Sequence, residues 1–477
     1  MSWDTPSRAM SARRRRPPKM SPKKKRRIGP SRYLRPKVSV KRGAPRTRSS
    51  GSYWLIDGVT VLTLFLIVRL ILPSQFVIGG LGGAGSPAAL LAVACLGWWV
   101  WERLHRTREF VSSPVVGFAA VFGMALMASW VAGVARPING EEGSVLTLGL
   151  LVSGGWLGVL LVAHDGPLDS ERLAALLNRL AVLAGLFAAF GLFQFVTGAV
   201  WVDRVYIPGL SAHQTVYAAS VREGFTRPPG TAIHPIEFGA VLCMLLPIAI
   251  SRGMGLILRP GTDWGVLRRW WPAALVALAV VLSLSRSALV GLAVGLIAIL
   301  PALRARQRIG ALVAMAGLGA IVFLVVPGMI GSIAGLFSGA QNDPGIASRI
   351  DSYAIAADYI ARAPWFGRGM FTFLPRYRIF DNQYLLSLVE IGFVGVAALL
   401  ALILAVLWAG IRTRSARSSV LRGASAATLA GSLVGGVSLA LFDGFAFPMM
   451  PGIWFTLLGL TGAAYRLSRE EAATTSS

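Results

Sequence analysis

Ionisable residues break into the apolar sequence at three places suited to chemistry. Arg227 heads the run Arg-Pro-Pro-Gly-Thr-Ala-Ile-His-Pro-Ile-Glu, so His234 and Glu237 arrive together at the mouth of an apolar stretch. Arg286 sits in Leu-Ser-Leu-Ser-Arg-Ser-Ala-Leu, between two apolar runs. Asp381-Asn382-Gln383-Tyr384 opens a third stretch, and Glu390 lies about two helical turns further in. An unpaired guanidinium beside hydrocarbon is costly, so arginines in such settings are partnered or functional. Two of them facing one cavity suit a pyrophosphate, because each planar fork donates parallel hydrogen bonds to its oxygens. Plainer roles stand beside these. Arg286 can snorkel to the headgroups, Arg227 can be an ordinary loop residue, His234 can tie down the turn before Pro235, and Asp381 can cap a helix. Glu390, inside an apolar run, is harder to explain that way. Arg69, one turn before Pro73, reads as a snorkelling interface residue.

Several chemistries have no residues to support them. The sequence has no phosphate-binding Gly-rich loop ending in Lys-Ser/Thr, no GxGxxG after a strand, and no Asp-x-Asp pair for a metal–nucleotide sugar. Its four His are scattered, and Cys95 and Cys243 sit apart inside apolar runs without a CxxC partner. Neither a metal nor a cofactor is expected.

The elements that must hold these residues are membrane helices. Apolar residues make up 55% of the 477, charged residues only 14%, and mean hydropathy is +0.63; a soluble surface of this size needs about a quarter charged. A span needs about twenty apolar residues. Runs at 54–72, 87–101, 115–135, 145–163, 173–200, 235–250, 271–284, 287–302, 309–326, 383–408, 420–442 and 446–465 predict an all-α polytopic membrane protein of about twelve spanning helices. Arg and Lys gather at 102–113, 251–270, 303–309 and 411–422 and are missing from 73–86 and 443–451, which places both termini in the cytoplasm of a bacterial plasma membrane. Residues 54–466 then form the membrane domain and 467–477 a cytoplasmic tail.

Residues 1–53 hold eighteen of the 47 Lys and Arg, with several Pro and few aliphatic residues. They read as a disordered cytoplasmic arm that orients the protein and is drawn to anionic lipids, by about 1 kcal/mol per basic residue near the surface. The net charge of +26 is therefore no sign of nucleic-acid binding. Two connections, 201–233 and 327–382, are longer than a compact bundle requires and both fall outside. The second has its own helix signal. Asp343-Pro344 is a cap followed by Pro, Ile346, Ile350, Tyr353, Ala357 and Ile360 share a face, and Pro364 ends the run.

Three of these stretches together resemble one family. Arg-x-x-Gly-x-x-x-His-Pro at 227–235, Ser285-Arg286-Ser287, and Ser348-Arg349 … Pro364-Trp365-Phe366-Gly367-Arg368-Gly369 … Asp381-Asn382-Gln383-Tyr384 … Glu390-Ile391-Gly392 are similar in order and spacing to the O-antigen ligase and polymerase family, over roughly residues 180–410. The resemblance implies a metal-independent, inverting glycosyltransferase of the GT-C type, with a glycan on undecaprenyl diphosphate as donor and a glycan or cell-envelope acceptor. It carries the family's diphosphate-binding arginines onto Arg227 and Arg286. It places His234, Glu237, Arg349, Asn382 and Glu390 in substrate binding. The ligases have His-Asn where this chain has Asp381-Asn382, so the base or acceptor-orienting role passes to Asp381 and the acceptor leans away from a lipid A core. A carboxylate can take a hydroxyl proton when burial raises its pKa.

Other classes remain open on sequence. Twelve helices also suit a transporter or a flippase of lipid-linked glycans, although 54–250 and 271–465 show no repeat. A peptidoglycan polymerase of the shape-and-division family shares the polar helix entry and the Glu-x-Gly two turns later.

Overall fold

The computed structural model describes residues 57–79, 85–105, 113–212, 221–222, 225–258, 262, 264–283, 285–325 and 344–476. The basic arm at 1–53, His213, and the 327–343 part of the second long loop, with its Asp343 cap, lie outside the described residues.

Thirteen α-helices form among the described residues. They are α1 (Gly58–Ile71), α2 (Pro87–His105), α3 (Pro114–Val134), α4 (Gly140–Asp165) and α5 (Ser170–Thr197). Next come α6 (Pro235–Gly253), α7 (Val266–Leu282), α8 (Arg286–Ile299), α9 (Ala305–Val325) and α10 (Pro344–Arg362). The chain ends with α11 (Gln383–Thr413), α12 (Ser419–Ser438) and α13 (Met449–Ser476). Each apolar run of the sequence coincides with one of these, and the amphipathic run is α10. Six helices, α3, α4, α5, α6, α11 and α12, are long and apolar enough to cross a membrane, and α1 and α8 are shorter apolar helices.

Caps in the local sequence set the helix starts, at 58, 140 and 170 rather than at the 54, 145 and 173 of the apolar runs. Asp57, Asn139 and Asp169 accept from the backbone N–H of Thr60, Glu142 and Arg172 at 2.9, 2.8 and 2.7 Å, satisfying donors that the first turn leaves open. Close packing then relies on small residues. An added Cβ at Gly158 of α4 would lie 2.5 Å from the Leu96 nitrogen of α2, so the two backbones touch. Helix α6 is buried along almost its whole length, between α5, α7, α8 and α12. A cluster of Phe122, Trp156, Trp454 and Phe455 joins α3, α4 and α13. Outward-facing side chains are apolar too, as with Met124, Met127, Val131 and Val134 on α3. Such an exterior suits lipid and would be a liability in water. The protein is an all-α membrane protein.

Helix α11 is broken near its start. Gly392 has φ 66°, and the backbone of Pro364–Gly369 runs along the break. Phe393 and Val394 N–H donate to the Pro364 and Trp365 carbonyls at 2.9 and 3.1 Å, while Arg368 and Gly369 N–H donate to Val389 and Glu390 carbonyls at 3.1 and 2.8 Å. The Pro-Trp-Phe-Gly-Arg-Gly run is thus a splice that satisfies the backbone groups the break sets free.

Helix α10 forms, with an inner face that departs from the expected one at Tyr353 and Ala357. Ser352 and Ala356 are buried, and Ile355, Tyr359 and the expected Ile360 pack on a cluster of Phe373, Phe380 and Val389. Tyr353 and Ala357 are exposed. The inner face is shifted towards Ser352 and Ala356 and still includes Ile360, while the side chains of Ile346 and Ile350 are outside what is described. Ser352 and Ala356 are small enough to let it approach the aromatic cluster, which outweighs the larger apolar residues one position on. At the same end of the bundle, β1 (Phe76–Ile78) pairs antiparallel with β2 (Leu210–Ala212), tying the loop after α5 to the end of α1. A second short pair, β3 (Val221–Arg222) and β4 (Phe225–Thr226), leads into Arg227.

Candidate functional site

The Arg227–His234 segment is held from two sides. The Gln194 side chain of α5 donates to the Gly230 carbonyl at 3.0 Å and accepts from its N–H at 2.7 Å, in a turn where Gly230 has φ 63°. Thr231 donates to the Leu70 carbonyl at 2.7 Å, and Ser74 N–H returns a bond to the Thr231 carbonyl at 2.8 Å. Arg227, which is buried, donates through Nε to the Ser283 carbonyl at 3.1 Å. That contact sets it against the α7–α8 hairpin tip, three residues before Arg286. Arg286 is the first residue of α8 and is exposed, with Ser285 and Ser287 hydroxyls 2.9 Å apart beside it. The fold therefore brings Arg227 and the tip bearing Arg286 together.

His234 caps α6, its Nδ1 accepting from Ile236 N–H at 3.1 Å. Burial, and the charge of Arg227, push its pKa down to about 4. The ring is neutral at pH 7 with its proton on Nε2, so it is a donor rather than a base. It also ties down the turn, as its plainer reading had it.

Glu237 sits elsewhere in the logic of the site. Its Oε1 accepts from the N–H groups of Met449 and Met450 and its Oε2 from Ile233, the last at 3.2 Å. It is fully buried and caps the start of α13. Glu390 is also buried. One oxygen accepts from Phe373 N–H at 3.4 Å, Oε2 has no partner, and the residue sits where the splice meets α11. Both carboxylates hold backbone together, and neither lines the cavities described below.

Asp381 and Asn382 divide two jobs that sequence left open. Asn382 is the cap of α11, accepting from Leu385 N–H at 3.2 Å. Asp381 is exposed at the rim of a cavity of about 130 Å³ walled by Tyr353, Phe380, Ala440 and Leu441. Gln383 stitches this corner to the turn after α12: its N–H donates to the Leu439 carbonyl at 2.7 Å, and its Oε1 accepts from Phe445 N–H at 2.9 Å. Asp443 thereby comes close to Asp381. Burial, and the Asp381 charge, raise the Asp443 carboxyl to about 6. Arg349 lies in the first half of α10, and its side chain is outside what is described.

Sequence reasoning missed two groups here. Asp443 carries no local signal, because only the α11–α12 packing brings it to Asp381. Arg69 did carry one, a charge inside an apolar run, but it does not snorkel. It is 4% exposed and lines a cavity with Trp156, Phe371, Phe445 and Phe447. A further buried cluster pins the splice to α4. Glu142 accepts from Arg368 and Tyr377 and pairs with Arg136, each at 2.7 Å, while the Arg368 guanidinium lies 5.0 Å from the Tyr359 ring centroid.

A multi-pass helical membrane protein with arginines and carboxylates gathered at one end of its bundle is the class that fold and site define. Residues 271–400 match the O-antigen ligase family model, so over that stretch the chain is O-antigen ligase-like. The stretch includes Arg286, Arg349, Asp381, Asn382 and Glu390 and stops short of Arg227, His234 and Glu237. No curated protein matches the chain.

Proposed function

We propose that this protein transfers or polymerises glycan from a polyprenyl-diphosphate-linked donor to a glycan or cell-envelope acceptor on the outer face of the plasma membrane. The observation that supports the reading best is the Arg227–Ser283 contact, which sets one buried arginine against a hairpin that presents a second, the hairpin's Ser283 and Arg286 lying in the O-antigen ligase-like stretch. In the reaction, the acceptor hydroxyl oxygen attacks the anomeric carbon of the donor sugar. The bond from that carbon to the phosphate oxygen breaks, and the lipid diphosphate leaves with the electron pair. Arg227 and Arg286 stabilise the charge growing on the diphosphate, which takes the place of a metal ion. The hydroxyl proton goes to Asp381, which stands at the rim of the cavity beside Asp443. Attack opposite the leaving group inverts the anomeric centre.

Topology belongs to the same reading: twelve spans, both termini in the cytoplasm, and the 201–233 and 327–382 loops outside with the site. The basic arm adds attraction to anionic lipids. Deleting the gene and identifying the lipid-linked glycan that accumulates tests the function. Accumulation of an outer-leaflet polyprenyl-diphosphate glycan, cleared by the wild-type gene but not by an Arg227→Ala copy, supports it. Accumulation confined to the inner leaflet points to an exporter and sinks the transferase reading.

A further inference from the structure

Arg69 differs from the other buried arginines among the described residues in donating no hydrogen bond to a carboxylate or carbonyl; its guanidinium carbon lies 5.7 Å from the Phe65 ring centroid. Its Nε is buried with no hydrogen-bond partner. The nearest opposite charge that acts on it is Glu237, whose two oxygens already accept three backbone N–H groups. By contrast Arg368, Arg466 and Arg227 each donate to a carboxylate or a carbonyl. A desolvated guanidinium left in this state costs several kcal/mol unless something anionic joins it.

The surroundings say what that anion is attached to. The cavity is about 210 Å³, far above the roughly 10–15 Å³ that one water needs. Its walls combine Trp156 and Phe445 with the polar Ser74, Gln75 and Ser86. Flat apolar rings beside hydroxyl and amide groups suit a sugar ring, which has an apolar face and a rim of hydroxyls. The guanidinium fork suits a carboxylate, which it can grip through two parallel bonds. The cavity also adjoins the proposed site. Phe447 lines it and lies 5.9 Å from the His234 ring, and the 70–74 stretch that borders it is bonded to Thr231.

We propose that the Arg69 cavity is a subsite for a carboxylate-bearing sugar unit of the uronate type. The glycan this protein handles then contains an acidic residue one position from the bond being made. The assignment of the cavity as a glycan subsite rests on the transferase reading; the binding itself does not.

The test is a direct titration on the full chain in lipid nanodiscs, followed by saturation-transfer NMR, with D-glucuronate, D-glucose and inorganic pyrophosphate as separate probes. Glucuronate is expected to bind and glucose to bind at least tenfold more weakly, in line with losing a charge-assisted contact. Arg69→Gln should weaken glucuronate roughly ten- to hundredfold, with circular dichroism of the same sample checking that the helices survive the loss of the charge that acts on Glu237. Ala89→Leu, which narrows the cavity and leaves Arg69 in place, should weaken glucuronate as well. Arg227→Ala should leave glucuronate binding intact even if it abolishes transfer, so the subsite and the transferase reading fail separately. Equal binding of glucose and glucuronate, or pyrophosphate binding that depends on Arg69, overturns the proposal.

Discussion

Replacing Gly392 with Ala should unfold the splice that shapes the outer corner. Gly392 has φ 66°, where an L-residue with a Cβ is strained by about 1–2 kcal/mol. The Cβ itself has nowhere to go: it would lie 2.5 Å from the Trp365 carbonyl carbon and oxygen and 2.6 Å from the Gly367 nitrogen. All three are backbone atoms, so the 364–369 strand must move. Moving it threatens four hydrogen bonds, from Phe393, Val394, Arg368 and Gly369 N–H, at about 1 kcal/mol each. Losing two to four of them on top of the strain gives a destabilisation of about 3–6 kcal/mol. Unfolding by SDS in mixed micelles, followed by circular dichroism, reads this as a lower midpoint. Gly117→Ala is the control. It lies in α3 with nothing within 4 Å of the added Cβ, and should be neutral or stabilising by up to about 1 kcal/mol. If Gly392→Ala unfolds at the wild-type midpoint, the splice does not depend on that backbone and the reasoning fails.

Four further outcomes are expected. Arg227→Ala and Arg286→Ala should each lower transfer by about 3 kcal/mol, some hundredfold or more, with Lys restoring only part of it because the fork is lost; membrane extracts given lipid-linked donor measure this. Asp381→Asn should abolish transfer while donor binding survives, whereas Asn382→Ala should cost about 1 kcal/mol of stability as a lost cap; an active Asn variant removes Asp381 from the chemistry. Asp443 is raised from 3.8 to about 6, so the folded state holds a proton that the unfolded chain has already released. Its contribution is full below about pH 4 and lost as pH rises to about 6, and Asp443→Asn should flatten that slope and add on the order of 2 kcal/mol at pH 7. Cys placed at Ser338 should react with an impermeant reagent in intact cells and Cys placed at Ser21 should not, the reverse pattern overturning the proposed orientation.

The helices were legible because each rests on short-range information. The apolar runs, Pro235 at the start of α6, and Pro344 and Pro364 bounding α10 act within one or two turns of the residue concerned. Periodicity also located α10, although it could not choose between neighbouring faces of an amphipathic helix. That choice depended on the shape of the Phe373–Phe380 cluster, which is built by residues far along the chain. The Trp-Phe-Gly-Arg-Gly run was visible as a motif, but its use as a splice was not, because the break it fills is made at Gly392.

Sequence by itself determined that the chain is a helical membrane protein, and it named the arginines and carboxylates at the mouths of the helices. Only the tertiary structure divided them by role. Glu237 and Glu390 became ties for backbone groups, Asn382 took the cap and released Asp381, and Asp443 arrived beside it from another hairpin. Arg69, which a nearby Pro made look like an interface residue, turned inward to a cavity. The physical reason is the same in each case. Whether a buried polar group is satisfied or left facing open space depends on which distant backbone N–H or carbonyl comes to it, and no local pattern of residues records that.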